Sequence, residues 1–115
     1  MTDFTNKLKV SSSTIKNESV GRKDDTDKLR YDLLDVDFEE EMAKVITEGA
    51  KKYAPNNWQN VEDAKNRYYA ALRRHVAAVR KGQFRNAEDG DVSHFAQIAI
   101  NAMFLYVLET KMEDK

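Results

Sequence analysis

The chain has 115 residues, 41% of them hydrophobic and 34% charged, with a formal net charge of -1 and no cysteine. That length fits one domain, and the near-neutral balance argues against a nonspecific nucleic-acid binder, which needs a clear excess of Lys and Arg. Without cysteine there are no disulfides, thiolate metal sites or cysteine nucleophiles.

Residues 1–20 are rich in Ser, Thr, Asn and Lys and read as a flexible N-terminal arm ahead of an all-α domain over 21–115. They hold no apolar core of signal-peptide type. Residues 21–35, GRKDDTDKLRYDLLD, are densely charged, with Leu29, Tyr31, Leu33 and Leu34 suggesting an extended or turn-rich segment. A first helix is expected over 37–53. Phe38, Met42, Val45, Ile46, Gly49, Ala50 and Tyr53 fall on one face, acids fill its first turn, and Lys51 and Lys52 fill its last. Pro55 and the Asn56-Asn57 pair end it.

A second helix is expected from a cap at Asn60 to a stop at Gly82, with Ala64, Tyr68, Ala71, Leu72, His75, Val76 and Val79 on its apolar face. The polar loop 82–91 follows, and Asp91 or Ser93 caps the last helix. That helix, Ser93 to Leu108, is apolar nearly all round, yet His94, Gln97 and Asn101 make a polar stripe along one side. Its apolar run is shorter than the roughly 18–20 residues that span a bilayer. The expectation is a soluble, cytoplasmic protein without a membrane partner. The fold class is all-α, three main helices in a bundle. The last helix is too apolar for a small monomer, which points to a homo-oligomer burying it.

Buried polar groups need partners, so the 94/97/101 stripe faces either internal hydrogen bonds or a ligand. Glu41 and Glu48 lie about 20° apart on the first helix and suit Mg²⁺ or Mn²⁺, or else they are solvated glutamates. His75 is either a hydrogen-bonded core imidazole or a site residue. Arg74 and its neighbours, with Lys28 and Arg30, either cradle phosphates or form a solvated face. Trp58 either stacks a base or plugs the end of the core. No Gly-rich phosphate loop, zinc pattern or nucleophile elbow is present.

Taken in order, GRKDDTDKLRYDLL (21–34), MAKVITEGAKKY (42–53), NNW (56–58), RYYAALRRHVAAVRKG (67–82) and HFAQIAINAMFLY (94–106) resemble the dATP/dGTP diphosphohydrolase (N-terminal domain) family of small viral proteins, grouped with the MazG-like all-α nucleotide pyrophosphohydrolases. The resemblance implies an oligomeric enzyme that uses Mg²⁺ or Mn²⁺ to cleave a deoxynucleoside triphosphate to monophosphate and pyrophosphate. The metal would neutralise the phosphates and generate a hydroxide. Glu41, His75, Glu88 and His94 match acidic and histidine positions of the pattern, Asn101 its asparagine, and Lys28, Arg30 and Trp58 its KLRY and NW elements. The expected catalytic groups are Glu41, His75 and His94. The expected metal ligands are Glu41, Glu48, Glu88 and Asp89, and the expected ligand contacts are Lys28, Arg30, Trp58, Arg74, Gln97 and Asn101.

The chain departs from the pattern at Gln83, Asn86 and Gln97, where acids and a second histidine are expected. An amide is a poor Mg²⁺ ligand beside a carboxylate. Two functions therefore stand side by side: an active pyrophosphohydrolase, and a catalytically weakened nucleotide-binding protein that sequesters a nucleotide signal of host defence. A helical oligomer with a purely structural polar stripe is the third. If the chain is viral, its compartment is the host cytoplasm.

Overall fold

A computed structural model describes residues 21–113; the expected arm over 1–20 lies outside the described residues. Contacts divide the chain after Asp35 into two units. In the first, the Asp24 carboxylate accepts hydrogen bonds from both the amide and the hydroxyl of Thr26, which hold it below the usual carboxylate range. A single 3-10 turn follows at Tyr31–Leu33. Leu29, Tyr31, Leu33 and Leu34 are all exposed.

The second unit contains three helices, α1 (Val36–Tyr53), α2 (Ala64–Arg80) and α3 (His94–Glu113), and a small antiparallel hairpin of β1 (Arg85–Asn86) and β2 (Val92–Ser93). No helix among the described residues is long and apolar enough to cross a membrane. Helix α1 carries Asp37 and Glu39 in its first turn and Lys51 and Lys52 in its last, each sign at the end of the dipole that favours it. It ends through Ala54 and Asn56, both with positive φ, and a 3-10 turn at Asn57–Asn60.

The start of α2 corrects the sequence expectation. Asn60 closes the 3-10 turn instead of capping α2, Val61 is extended, and Asp63, in the left-handed region, precedes the first helical residue, Ala64. The Asp63 carboxylate accepts from Asn66 Nδ2 and makes no cap to the backbone. The other end stops as expected. Gly82 sits at φ +84, its amide donates to the Val79 carbonyl and that of Gln83 donates to the Ala78 carbonyl, which is the Schellman pattern.

Helix α3 is the common floor, packed by α2 most extensively and by α1 as well. Its N-terminus is capped by the Ser93 hydroxyl, which accepts from the amides of Phe95 and Ala96. The best-buried residues are Val92, His94, Ala96, Gln97, Ile100 and Asn101. They cluster where the hairpin meets the first half of α3. Toward its C-terminal half the helix opens, and Tyr106 is 70% exposed.

Candidate nucleotide site

Between α1 and α2, with α3 beneath, lies a cavity of about 880 Å³. The sequence makes this space by omission. Gly49 and Ala50 on α1 and Ala70 and Ala71 on α2 all line it, and a Cβ added at Gly49 would meet nothing within 4 Å. Two helices that pack on a third through small residues leave a gap that larger side chains would close.

One end of the cavity is aromatic. The Trp58 ring stacks on Phe104 of α3 at 4.3 Å between centroids and 18° between planes, and Tyr68 tilts against the same Phe104 at 4.9 Å. The Tyr68 hydroxyl donates to the Trp58 carbonyl (2.8 Å), which fixes the loop carrying Trp58. Burial pushes the Tyr68 phenol up, so it remains a neutral donor. The other end is polar and charged, lined by Glu48, Lys52, Arg74, His75, Asp89 and Gln97. Gln97 and Phe104 are seven residues apart on α3, about 10.5 Å along its axis. Arg67 and Arg74 also line the cavity, and neither is paired with a carboxylate among the described residues.

The hairpin loop supplies the acidic end. Gly90, at φ +78, brings the loop against α1, close enough that a Cβ there would lie 3.6 Å from Glu48 Cγ. Asp89 then sits between α1 and α3. Its Oδ1 accepts from Lys52 Nζ (2.6 Å) and its Oδ2 accepts from Gln97 Nε2 (3.4 Å). Gln97 Oε1 in turn accepts from Asn86 Nδ2 (3.1 Å). An ionised carboxylate only accepts, so Asp89 dictates which end of the Gln97 amide faces it. The polar stripe of α3 thus has internal partners and also borders a cavity. Asn101 Nδ2 donates to the Gln97 carbonyl one turn back (2.8 Å), and Asn101 lines the cavity.

His75 and His94 meet through their Nδ1 atoms at 2.9 Å. One must donate and the other accept, so the pair holds together only while at least one ring is neutral. Burial holds His75 below its usual range, aided by His94 and Arg74 and opposed by Asp89. His75 lines the cavity, while the nearly buried His94 stands behind it.

Glu41 lies outside the cavity, away from the catalytic and metal-binding place expected for it. Its Oε2 accepts the Ser93 amide (3.1 Å) at the N-terminus of α3, with Arg85 Nη1 3.5 Å away, and it does not line the cavity. Glu48 lines the cavity but pairs with Lys51 (3.2 Å), and Glu88 is exposed in the hairpin loop. The expected four-acid set is therefore not brought together. Positions i and i+7 share a direction around a helix but lie about 10.5 Å apart along it, too far to share one ion. Arg30 is engaged with Asp32 through two hydrogen bonds of 2.8 and 2.7 Å in its own turn, and the side chain of Lys28 is exposed in the same unit. Among the site residues, sequence reasoning missed Lys52, Asn86 and Phe104. In sequence Lys52 is indistinguishable from a lysine that merely complements the helix dipole, and the other two meet partners only once the hairpin and α3 are assembled.

A three-helix domain with a cavity between its helices, aromatic at one end and cationic at the other beneath an acidic hairpin loop, is the architecture of a small all-α binding or catalytic module. The sequence profile of the dATP/dGTP diphosphohydrolase N-terminal family matches residues 18–115, and the chain belongs to that family. A dATP/dGTP diphosphohydrolase of Salmonella phage PMBT28 is 35% identical over 88 residues, covering 76% of this chain and 29% of the phage protein. The chain thus spans less than a third of that relative's length. No solved structure matches.

The divalent cation implied by the family asks for hard, anionic oxygen ligands. Among the described residues, no three carboxylate or imidazole groups gather where they could hold one. Of the expected ligands, only Glu48 and Asp89 border the cavity. Lys51 pairs with Glu48, and Lys52 and Gln97 take up both oxygens of Asp89. As arranged, these residues do not fit a metal centre.

Proposed function

We propose that this chain binds a purine deoxynucleoside triphosphate, dATP or dGTP, in the cavity between α1 and α2 and releases pyrophosphate from it. The observation that carries this reading is the polarity of the cavity: Trp58 on Phe104 at one end, Arg74 and Lys52 at the other. A purine has a π-face for the aromatic end, and guanidinium and ammonium groups suit phosphate oxygens. The family match supports the nucleotide class.

In the proposed reaction a water oxygen bonds to the α-phosphorus, the bond from that phosphorus to the bridging oxygen breaks, and pyrophosphate leaves. The proton passes from the water to His75, which burial keeps neutral and whose ring His94 orients by their shared hydrogen bond. Arg74 and Lys52 neutralise charge on the phosphates. The hydrogen-bond network of Asn86, Gln97, Asp89 and Lys52 favours a second reading, in which the nucleotide is held intact. Incubating the chain with each of the common deoxynucleoside triphosphates, followed by chromatography of the products, tests the first reading. Monophosphate and pyrophosphate from dATP or dGTP support it. Bound nucleotide recovered unchanged after heat denaturation supports the second, and no bound nucleotide of any kind overturns both.

A further inference from the structure

We infer that this cavity takes the polyphosphate of its nucleotide without a divalent cation, its own lysine and arginine side chains balancing the charge. The inference rests on the nucleotide reading above and deepens it.

Three observations carry it. First, the acids that would hold a cation are already compensated, Glu48 by Lys51 at 3.2 Å and Asp89 by Lys52 at 2.6 Å. Second, the neutral groups beside Asp89 present donors to it. Gln97 turns its Nε2 toward Asp89, and its one oxygen accepts from Asn86. To offer that oxygen to a metal held by Asp89, Gln97 would have to turn its amide over and break both bonds. Third, the cavity wall carries Lys52, Arg67 and Arg74 against Glu48 and Asp89, a net positive lining before any ion arrives. Arg74, at the phosphate end, pairs with no carboxylate among the described residues, so its guanidinium group is available for phosphate oxygens.

The division of labour on Asp89 follows. It is a positioning residue that holds Lys52 and Gln97 at the phosphate end and does not serve as a metal ligand. Lys52 keeps the loop of Asp89 against α1 and presents its ammonium group at the edge of the cavity.

The test is equilibrium dialysis of the full chain with dGTP in excess EDTA and in Mg²⁺, alongside electron paramagnetic resonance of Mn²⁺ added alone. Expected are dGTP dissociation constants that agree within about threefold in the two buffers, and no Mn²⁺ site tighter than about 1 mM. Arg74→Ala, on an exposed position of α2, should weaken dGTP at least about tenfold in EDTA while the circular dichroism spectrum stays that of the parent. Binding that vanishes in EDTA and returns with Mg²⁺ or Mn²⁺ overturns the inference but leaves the nucleotide reading standing. Tight Mn²⁺ binding by the chain alone also overturns it. Absence of dGTP and dATP binding in both buffers overturns the nucleotide reading and this inference together.

Discussion

Replacing Glu41 separates a structural carboxylate from a reactive one. Its side chain is 15% exposed and accepts the Ser93 amide at 3.1 Å, tying α1 to the junction of β2 and α3. A hydrogen bond to a charged group contributes about 1.5–3 kcal/mol, and its loss leaves a half-buried amide without its partner. The Arg85 contact, at 3.5 Å to a half-exposed guanidinium, adds little. Glu41→Ala should therefore cost about 2–3 kcal/mol, and a domain of this size loses about 4–8 °C of melting temperature per kcal/mol, so the midpoint falls by roughly 8–24 °C. Glu41→Gln keeps an acceptor for Ser93 and should cost about 1 kcal/mol. Urea and thermal unfolding followed by circular dichroism give both values, and dGTP binding below the transition should be that of the parent, because Glu41 does not line the cavity. A Glu41→Ala protein that melts with the parent but no longer binds or cleaves dGTP would refute this reasoning and return Glu41 to the reactive site.

Three further outcomes are expected. Because folding lowers the proton affinity of His75, the unfolded chain binds more protons, so stability should fall as pH drops through about 6.5 and level off below the folded value. Urea midpoints from pH 5 to 8 measure this, and His75→Gln should flatten the slope. Gly49→Ala meets no atom within 4 Å and replaces a helix-interior glycine, so it should stabilise by about 0.5–1 kcal/mol, whereas Gly49→Leu should project into the cavity between α1 and α2 and weaken dGTP binding. Gln97→Glu puts a second carboxylate beside Asp89 and should create a Mn²⁺ site visible by electron paramagnetic resonance; no gain in Mn²⁺ affinity would argue against the role assigned to that amide.

The first two helices were legible from their apolar periodicity and the third from an apolar run too long for a strand, and the stop of α2 was legible because only glycine sits easily at its left-handed end. The start of α2 was not, since Asn60 is as good a cap in sequence as the left-handed Asp63 that precedes the helix in space. Two-residue strands have no alternation to read, so the hairpin that delivers Asp89 to α1 was invisible. The stripe of His94, Gln97 and Asn101 is legible as buried and polar, and all three are among the best-buried polar residues described. Its partners were not legible: His75 is 19 residues from His94, and Asp89 reaches Gln97 only through the hairpin loop. The acid set failed for a geometric reason, since helical projection keeps angle and discards rise.

Trp58 is the one tryptophan in the chain, and its ring lies at the aromatic end of the cavity. Titrating the protein with dGTP while recording tryptophan fluorescence therefore reads the proposed site directly. A saturable change that needs more dGTP in both Arg74→Ala and Gly49→Leu is the predicted result. Calorimetric binding of dGTP that leaves Trp58 emission untouched and is unchanged by both substitutions would place the nucleotide elsewhere and contradict the account.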